Sequence, residues 1–375
     1  MYSSHAELLA AHQPDLFVCA PRWSQDHHAV GLAALQAGCH LLLEKPFAET
    51  LAQADAIMAA ADGASLVVAC AHQIRLAPSV HFLRERIAEG LIGELLEIRT
   101  CVRHALRLRL RAVRAAATHR SQHFLRRWCC LVQGKMDANR TGGEDLVVLG
   151  CHIFDLARLF AGDAHWCTAW IRQSGHDATL ADVKGSAGGE GIGPILGDEI
   201  NAQFGMDDGV LLSFTSRNAQ LGTTGQLPCE SELPHSLLVS VSPAVGSLLS
   251  MPSADSMELV GSEGVVRAAL GFAPEWQMLR TVETAEGPME QWLPIEGMPV
   301  PTDAEAENAQ ATANLRLAED WVGAVRDGGE PLCSGANALA AMEMVHAVFA
   351  AGLRQERVAI PLAKREHPLR STAVA

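Results

Sequence analysis

Residues 14–53 read PDLFVCAPRWSQDHHAVGLAALQAGCHLLLEKPFAETLAQ, and this stretch decides the fold class. Residues 16–20 are a wholly apolar run that ends at a proline, which predicts a strand buried on both faces of a parallel sheet. An alanine-rich helix is predicted over residues 27–37, closed by a glycine. The run at residues 40–44 predicts a second strand, so the stretch forms a β-α-β unit.

The same alternation continues downstream. Thr50 with Gln53 three residues later forms a capping box that predicts the start of a helix. Residues 66–70 predict a third buried strand. Pro78 begins another helix, which ends at Gly90. Alternating strands and helices indicate a doubly wound parallel sheet with right-handed crossovers.

After residue 92 the pattern changes, and we predict a second domain over residues 93–375. Residues 94–101 alternate like an edge strand, and residues 142–162 form a helix. Further short strands are predicted at residues 165–172, 198–205, 209–217, 256–260 and 264–269. Two closing helices are predicted at residues 308–326 and 335–352. Strands followed by helices indicate an α+β domain with a large open sheet.

Composition excludes several classes of protein. The 375 residues carry a net charge of −14, which argues against a dedicated nucleic-acid binder. No apolar stretch approaches the roughly 20 residues of a membrane helix, and no secretory leader is apparent. Ten cysteines, mostly in apolar contexts, read as free thiols in a reducing compartment. We therefore expect a cytoplasmic protein with no membrane contact.

One basic segment stands out from this acidic chain. Residues 98–136 contain nine arginines, one lysine and no acid, and Arg107, Arg109 and Arg111 alternate with leucines. The segment is either a phosphate- or nucleic-acid-binding patch or a solvated insertion. Because stacking aromatic residues are nearly lacking, we favour the insertion and expect no nucleic-acid binding. Residues 103–136 and 219–254 are both predicted to be irregular.

The tripeptide Glu44-Lys45-Pro46 ends the second predicted strand. The carboxyl ends of parallel strands form the ligand-binding edge of an open α/β sheet. An ammonium group there can bind a substrate hydroxyl or neutralise an alkoxide as hydride leaves, and Pro46 is a candidate for a cis peptide bond. The alternative is a solvated turn lysine, but the position of Lys45 favours the functional interpretation.

Four residues follow the first strand at the same edge. Trp23 is able to pack on a nucleotide ring, and His27 to cap a helix or contact a ribose. Pro21 and Arg22 precede them. Ordinary turn and helix-start chemistry explains the group equally well, and both interpretations stay open.

His152 and Asp155 are three residues apart on one predicted helix and so share a face. An imidazole can act as a general base at neutral pH, and a neighbouring carboxylate can orient the ring or bind a substrate hydroxyl. A buried hydrogen-bonded pair is the alternative. The histidines and cysteines show no metal-ligand spacing, so no metal site is predicted.

Together these segments resemble the Gfo/Idh/MocA family of NAD(P)-dependent oxidoreductases. The resemblance rests on residues 14–54, on LRERIAEGLIGELLEI at 83–98 and on GGEDLVVLGCHIFDLARLFAG at 142–162. Residues 257–267 show a weaker similarity. It implies a Rossmann domain followed by an α/β domain whose large open sheet mediates homo-oligomerisation. It also implies NAD or NADP as cofactor and a sugar- or cyclitol-like hydroxyl compound as substrate.

The resemblance also assigns roles to residues. Lys45 is expected near the nicotinamide and the substrate hydroxyl, while His152 and Asp155 face the substrate as catalytic residues. The residues expected along the cofactor are Pro21, Arg22, Trp23, His27, Glu44 and Lys45.

The sequence departs from the family pattern in three ways. The 375 residues contain no G-x-G-x-x-G run, the element whose helix N-terminus holds the pyrophosphate. That run should precede Met1, so we expect an N-terminally incomplete Rossmann domain over residues 1–92 and weak cofactor binding. Val148 stands where the family often has an aspartate, four residues before the helix histidine. Residues 103–136 and 219–254 match poorly, and are either insertions or altered reading-frame segments.

Two functions therefore remain. The first is an oxidoreductase, impaired by the missing loop, that transfers hydride between a nicotinamide and a sugar or polyol. The second is a non-catalytic relic of the same fold that binds a sugar ligand or a partner. Cofactor titration distinguishes them.

Overall fold

The structure is a computed structural model. It describes residues 2–21, 24–103, 142–185, 192–217, 255–284 and 287–370. The predicted irregular segments 103–136 and 219–254 therefore fall almost entirely outside the described residues, as do the three arginines at 107, 109 and 111.

The first part of the chain forms a three-stranded parallel sheet in the order β1-β2-β3. Its elements are α1 (His5–His12), β1 (Leu16–Cys19), α2 (Ser24–Gln36), β2 (His40–Leu43), α3 (Leu51–Ala64), β3 (Val68–Cys70), a 3₁₀ turn (Gln73–Leu76) and α4 (Pro78–Ala88). The predicted order of strands and helices is confirmed. The capping box is present too: the Thr50 side chain accepts from Gln53 N, and the Gln53 side chain accepts from Thr50 N.

One prediction for this sheet is wrong. Strand β1 was expected to be buried on both faces, but Leu16 is 38% and Val18 is 60% exposed. Within the described residues β1 pairs with β2 along one edge, so it is an edge strand. An apolar run alone does not distinguish an edge strand from a central one.

The second part contains a ten-stranded mixed sheet. The strands are β4 (Leu95–Arg103), β5 (Ala164–Gln173), β6 (His176–Asp177), β9 (Glu199–Met206), β10 (Leu211–Arg217), β11 (Asp255–Gly261), β12 (Val265–Ala269), β13 (Trp276–Thr284), β14 (Gly287–Pro294) and β15 (Val358–Ala359), with a separate small ribbon of β7 (Lys184–Gly185) and β8 (Pro194–Ile195). The order is β14-β13-β12-β11-β4-β10-β9-β5-β15, with β6 beside β5. The large open sheet is confirmed.

Strand β4 was predicted at an edge, but it lies in the middle of this sheet. It pairs in parallel with β10 and antiparallel with β11. Its residues alternate because one face of the sheet is buried and the other is open: Ile98 and Val102 point into the core while Arg99 is exposed. Alternation reports one-sided burial, which central strands of an open sheet share with edge strands.

The hairpin of β13 and β14 was not predicted. Both strands carry mixed polar and apolar residues, and much of the hairpin surface is solvent-exposed, so no apolar run marks them. The turn at Asp207–Gly209 joins β9 to β10, and the turn at Ser262–Gly264 joins β11 to β12.

The helices of the second part are α5 (Gly142–Asp145), α6 (Cys151–Ala161), α7 (Asp303–Glu307), α8 (Ala309–Asp327) and α9 (Gly335–Arg354). On the buried face of the large sheet, Phe154 of α6 packs edge-on against Phe204 and Phe214, with ring centroids 5.0 and 5.2 Å apart. Helix α8 instead completes the core of the first sheet, where Leu317 and Trp321 pack near Leu42 and Ala69.

Helix α9 lies between the two sheets and contacts β3, α3, α6 and β5. It is long and apolar enough to cross a membrane by length and composition, but 72% of its most apolar window is buried inside the protein. Its apolar character is therefore explained by its place in the core, since both sides of the helix are covered.

The chain's last described segment ties the first part to α9. Arg365 forms ion pairs with Asp55 of α3 (2.6 Å) and with Glu343 of α9. Arg370 forms an ion pair with the buried Glu49, and the Arg365 carbonyl accepts from Ala52 N at 3.0 Å. Residues 365–370 thus hold α3, the helix that follows the second strand, against the second part of the chain.

Candidate active site

The Glu44-Lys45-Pro46 turn lies at the carboxyl edge of the first sheet. The Lys45–Pro46 peptide bond is cis, the geometry for which Pro46 was a candidate. Glu44 is exposed and its carboxylate accepts from Lys45 N at 3.0 Å, while the Lys45 side chain is half-buried. The Lys45 ammonium therefore stands at the place where ligands bind in open α/β sheets.

His27 lies beneath this turn. Its side chain is buried, with Nδ1 2.8 Å from the Pro46 carbonyl oxygen and Nε2 3.1 Å from the Pro21 carbonyl oxygen. The ring therefore joins the end of β1 to the cis turn that carries Lys45. The contact of His27 with the cofactor stays a prediction, and in this geometry the ring supports the turn.

His152 is carried by a helical stretch with an irregular middle. Between α5 and α6 the backbone forms a π-helical segment, Leu146–Gly150, which ends immediately before Cys151 and His152. Such segments are uncommon and occur frequently at functional sites. Val148, at the place of the missing aspartate, is buried within this segment.

Asp155 is almost completely buried, at 1% exposure, and both of its carboxylate oxygens are engaged. Arg75 donates from Nε to Oδ2 and from Nη2 to Oδ1, each at 2.9 Å, and Nη2 also donates to the Asp155 carbonyl oxygen. Burial raises the pKa of Asp155, but His72 and Arg75 together outweigh it and lower the pKa below its usual range. This geometry favours support of the site over direct contact with substrate.

His72 connects Asp155 to His152. Its Nδ1 lies 3.4 Å from Asp155 Oδ1, and its ring meets the His152 ring at 5.2 Å between centroids and 60° between planes. Burial lowers the pKa of His72, but the Asp155 carboxylate outweighs it and raises the pKa above the usual range. Neither His72 nor Arg75 is recognisable as a site residue in the sequence, because their partners lie about 80 positions further along the chain.

The strand register brings Lys45 and His72 to one edge. Leu43 pairs with Cys70 across β2 and β3, and Ala71 N donates to the Leu43 carbonyl at 2.9 Å. Lys45 follows Leu43 by two residues, and His72 follows Cys70 by two. Since His72 contacts His152, the helix of the second part meets the same sheet edge that carries Lys45.

A small cavity lies behind this edge. It has a volume of about 20 Å³ and is lined by Pro46, Phe47, Ala48, Glu49, His72, Val147, Cys151, Ile192, Ala338, Met342, Val345, His346 and His367. That volume holds about one water molecule, whereas small-molecule sites are typically about 300 Å³ or more. The cavity is therefore too small for a sugar. The residues around it support the site.

Two histidines at the far side of this cavity stack on each other. The rings of His346 and His367 lie 4.7 Å apart. Burial lowers the pKa of His346 well below its usual value, with help from His367 and Arg365. Burial, and then Arg370, lowers the pKa of His367 to about 4. Both rings are therefore neutral in the folded protein at neutral pH.

This pair predicts sensitivity to acid. In the unfolded chain both histidines take up protons below about pH 6.5, whereas in the folded chain the pKa of His367 is about 4 and that of His346 also lies well below its usual value. The free energy of unfolding should therefore fall as the pH drops from 6.5 towards 4, by up to about 1.4 kcal/mol per pH unit for each ring. Urea unfolding at a series of pH values measures this fall.

The double variant His346→Gln/His367→Gln should flatten that pH dependence. The matched control is His176→Gln, which changes an exposed histidine and should leave the slope as in the wild type. An equally steep fall in the double variant would show that other groups cause the acid sensitivity.

The described residues include part of the predicted cofactor set. Pro21, His27, Glu44 and Lys45 lie at the carboxyl edge of β1 and β2, whereas Arg22 and Trp23 lie outside the described residues. The exposed Glu44 carboxylate is a suitable acceptor for ribose hydroxyls, and the Lys45 ammonium suits the nicotinamide end. Glu44 and Lys45 therefore fit the ribose and nicotinamide end of a dinucleotide. The sequence has no G-x-G-x-x-G run to hold the pyrophosphate.

No group of three or more histidine, cysteine or acidic side chains among the described residues could hold a metal ion. The described cysteines are free, and most of them are buried. Burial raises the pKa of the Cys70 and Cys333 thiols well above the usual range, so they lack thiolate character.

Comparison with known proteins gives a match to one family over the first part of the chain. The sequence model of the Gfo/Idh/MocA family, described as an oxidoreductase family with an NAD-binding Rossmann fold, matches residues 1–72. D-apiose dehydrogenase of Paraburkholderia graminis is 26% identical over 370 residues, which span 98% of this chain and 79% of the relative. The first 72 residues thus match the Gfo/Idh/MocA family.

The chain is also similar to other known proteins, in part of its sequence or in its fold. The 1,5-anhydro-D-fructose reductase of Ensifer adhaerens is 42% identical over 82 residues, 22% of this chain and 24% of the relative. A levoglucosan dehydrogenase structure with NADH and levoglucosan superposes with a TM-score of 0.63 at 16% identity, covering 96% of this chain and 84% of that one. The Rossmann fold with a second α/β part is thereby confirmed.

Proposed function

We propose that this Gfo/Idh/MocA protein transfers hydride between a nicotinamide cofactor and the hydroxyl-bearing carbon of a sugar- or cyclitol-like compound. The observation that carries the proposal is the meeting of two elements at one sheet edge. The Lys45 turn ends β2, and the helix of His152 reaches the same edge through the His72 contact. The names of the relatives, which include dehydrogenases of apiose and levoglucosan, support a sugar as substrate.

The roles follow from the chemistry of each side chain. Bound NAD(P) supplies a nicotinamide carbon that accepts or gives hydride. Lys45 binds the substrate hydroxyl and stabilises negative charge on its oxygen, and His152 takes up or returns the hydroxyl proton. Positioned proton transfer of this kind contributes about 10²–10⁴-fold to a rate. Asp155, which the resemblance placed against the substrate, acts in this proposal through His72.

We also make proposals for the domain division, the location in the cell and the assembly of the protein. We place the domain division at residues 92 and 93, with helix α8 completing the first domain's core. We expect a cytoplasmic protein without nucleic-acid partners. We also propose a homo-oligomer formed through the open face of the large sheet, where Trp170 and Leu211 are both nearly half exposed.

A substrate screen tests the proposed function. Aldopentoses, aldohexoses, anhydro-sugars and cyclitols are offered with NAD⁺ or NADP⁺ at millimolar concentration, and cofactor reduction is followed by absorbance. Turnover that the Lys45→Met variant lacks supports the proposal. The alternative, a sugar-binding relic, predicts sugar binding by calorimetry without turnover of either cofactor.

Cofactor affinity provides a separate prediction. Because the 375 residues contain no G-x-G-x-x-G run to hold the pyrophosphate, NADH should bind to this chain with a dissociation constant in the high micromolar range or above. Isothermal titration calorimetry measures it directly. Sub-micromolar binding would mean that the chain holds the pyrophosphate in another way.

A further inference from the structure

His72 occupies a position between a fixed carboxylate and the proposed proton acceptor. It follows β3 and precedes the 3₁₀ turn that carries Arg75, and its side chain is 2% exposed. On one side its Nδ1 lies 3.4 Å from Asp155 Oδ1. On the other side its ring contacts the His152 ring at 5.2 Å. The backbone is fixed as well, since the Cys333 thiol donates to the His72 carbonyl oxygen at 3.4 Å.

The carboxylate in this arrangement cannot move. Arg75 holds both Asp155 oxygens and the Asp155 carbonyl oxygen, so Asp155 has one orientation. A planar guanidinium fork on a carboxylate fixes geometry as well as charge. An anchored carboxylate therefore lies 3.4 Å from the His72 Nδ1, while the ring contacts His152.

We propose that His72 is a positioning residue that fixes the orientation of the His152 imidazole and keeps that imidazole unprotonated at neutral pH. The ring contact supplies the orientation. The electrostatic part follows from Asp155, which favours a proton on His72. A positive charge about 5 Å away then disfavours a second proton on His152. An unprotonated imidazole is the form able to accept a proton from a hydroxyl.

Several other titratable and charged groups surround His72. Those that face it or share its cavity are Asp155, Cys151, Arg75, Cys70, Cys333, Glu49, His346 and His367. The two distal histidines are neutral, and burial keeps the Cys70 and Cys333 thiols protonated. Glu49 is paired with Arg370. Asp155 is therefore the main group that raises the pKa of His72, with a further contribution from Cys151.

The test is a histidine titration by NMR on the full chain with isotope-labelled histidine. Loss of a signal in His72→Gln and in His152→Asn assigns the two rings. In the wild type we expect His72 to be protonated at neutral pH. In His72→Gln we expect the titration midpoint of His152 to rise by about one pH unit or more. The control is His81→Gln, which alters a nearby histidine on α4 and should leave His152 unchanged.

Two results would overturn the proposal: a neutral His72 in the wild type at neutral pH, or an unchanged His152 midpoint in a folded His72→Gln variant. If His72→Gln does not fold, the wild-type charge of His72 decides. The proposal rests on the proposed function in one respect only, namely that the unprotonated His152 accepts a proton from the substrate hydroxyl. The titration needs no turnover, so an inactive enzyme and an uncoupled histidine pair give different results.

Where the chain is active, kinetics add a second readout. The acid limb of the kcat profile should move to higher pH in His72→Gln by the same amount as the NMR midpoint, with KM little changed. A loss of structure would instead lower activity at every pH. A kcat profile that keeps its wild-type shape would contradict the proposal.

Discussion

Replacing Lys45 by methionine is expected to reduce hydride transfer by about 100-fold or more while the protein stays folded. Methionine keeps the length and apolar stem of lysine but removes the ammonium that stabilises the alkoxide. The side chain is half-buried at the sheet edge, and the hydrogen bond from the Lys45 backbone N–H to Glu44 is retained. The measurement is kcat/KM with the sugar found in the screen, beside a circular dichroism spectrum and a thermal melt.

The matched control is Lys184→Met, because Lys184 is an exposed lysine on the small ribbon of β7 and β8. It should keep wild-type activity. Undiminished turnover in Lys45→Met would remove Lys45 from the mechanism and favour a role for the turn in binding alone. His152→Asn should cost less than Lys45→Met, since water or Lys45 can partly replace a proton acceptor.

Replacing Arg75 by methionine should lower the free energy of unfolding by about 3–5 kcal/mol. The change leaves the Asp155 carboxylate buried without the guanidinium that holds it. Removing one partner of a buried ion pair is costly because the remaining carboxylate has lost its water. In this variant Asp155 loses the hydrogen bonds from Arg75 and keeps only the His72 ring, 3.4 Å away. Equilibrium unfolding in urea, compared with the wild type, measures the effect.

Two further variants make this test specific. Arg86→Met removes an exposed ion pair with Glu89 and should cost at most about 1 kcal/mol. The double variant Arg75→Met/Asp155→Asn should be more stable than Arg75→Met alone, since the uncompensated charge is gone. If Arg75→Met is no more destabilising than Arg86→Met, the buried pair contributes little to stability.

The sequence predicts those features that depend on neighbouring residues. The capping box at Thr50 and the helix beginning at Pro78 involve residues within one turn, so their chemistry is visible in the sequence. The Glu44-Lys45-Pro46 turn was found for the same reason, because a strand end and a following cap are local signals.

Features that depend on distant partners were missed. Whether β1 and β4 lie at an edge depends on which strands pair with them, and β4 gains its second neighbour from β11, far along the chain. Arg75 is an ordinary arginine by sequence, and its role appears only when helix α6 brings Asp155 to it. The contacts of the His27 ring with the carbonyl oxygens of Pro21 and Pro46 are likewise not visible in the sequence, and its contact with the cofactor stays a prediction.

The contacts of residues 365–370 with α3 have a consequence for synthesis on the ribosome. Arg365 bonds to Asp55 across 310 positions, and Cys70 N donates to the Cys333 carbonyl, so the first sheet is completed by residues from far downstream in the chain. Nascent chains released before this point should expose the α3 surface and the free edge of β3. We therefore expect the first sheet to reach its native state only after residues 333–370 have been translated.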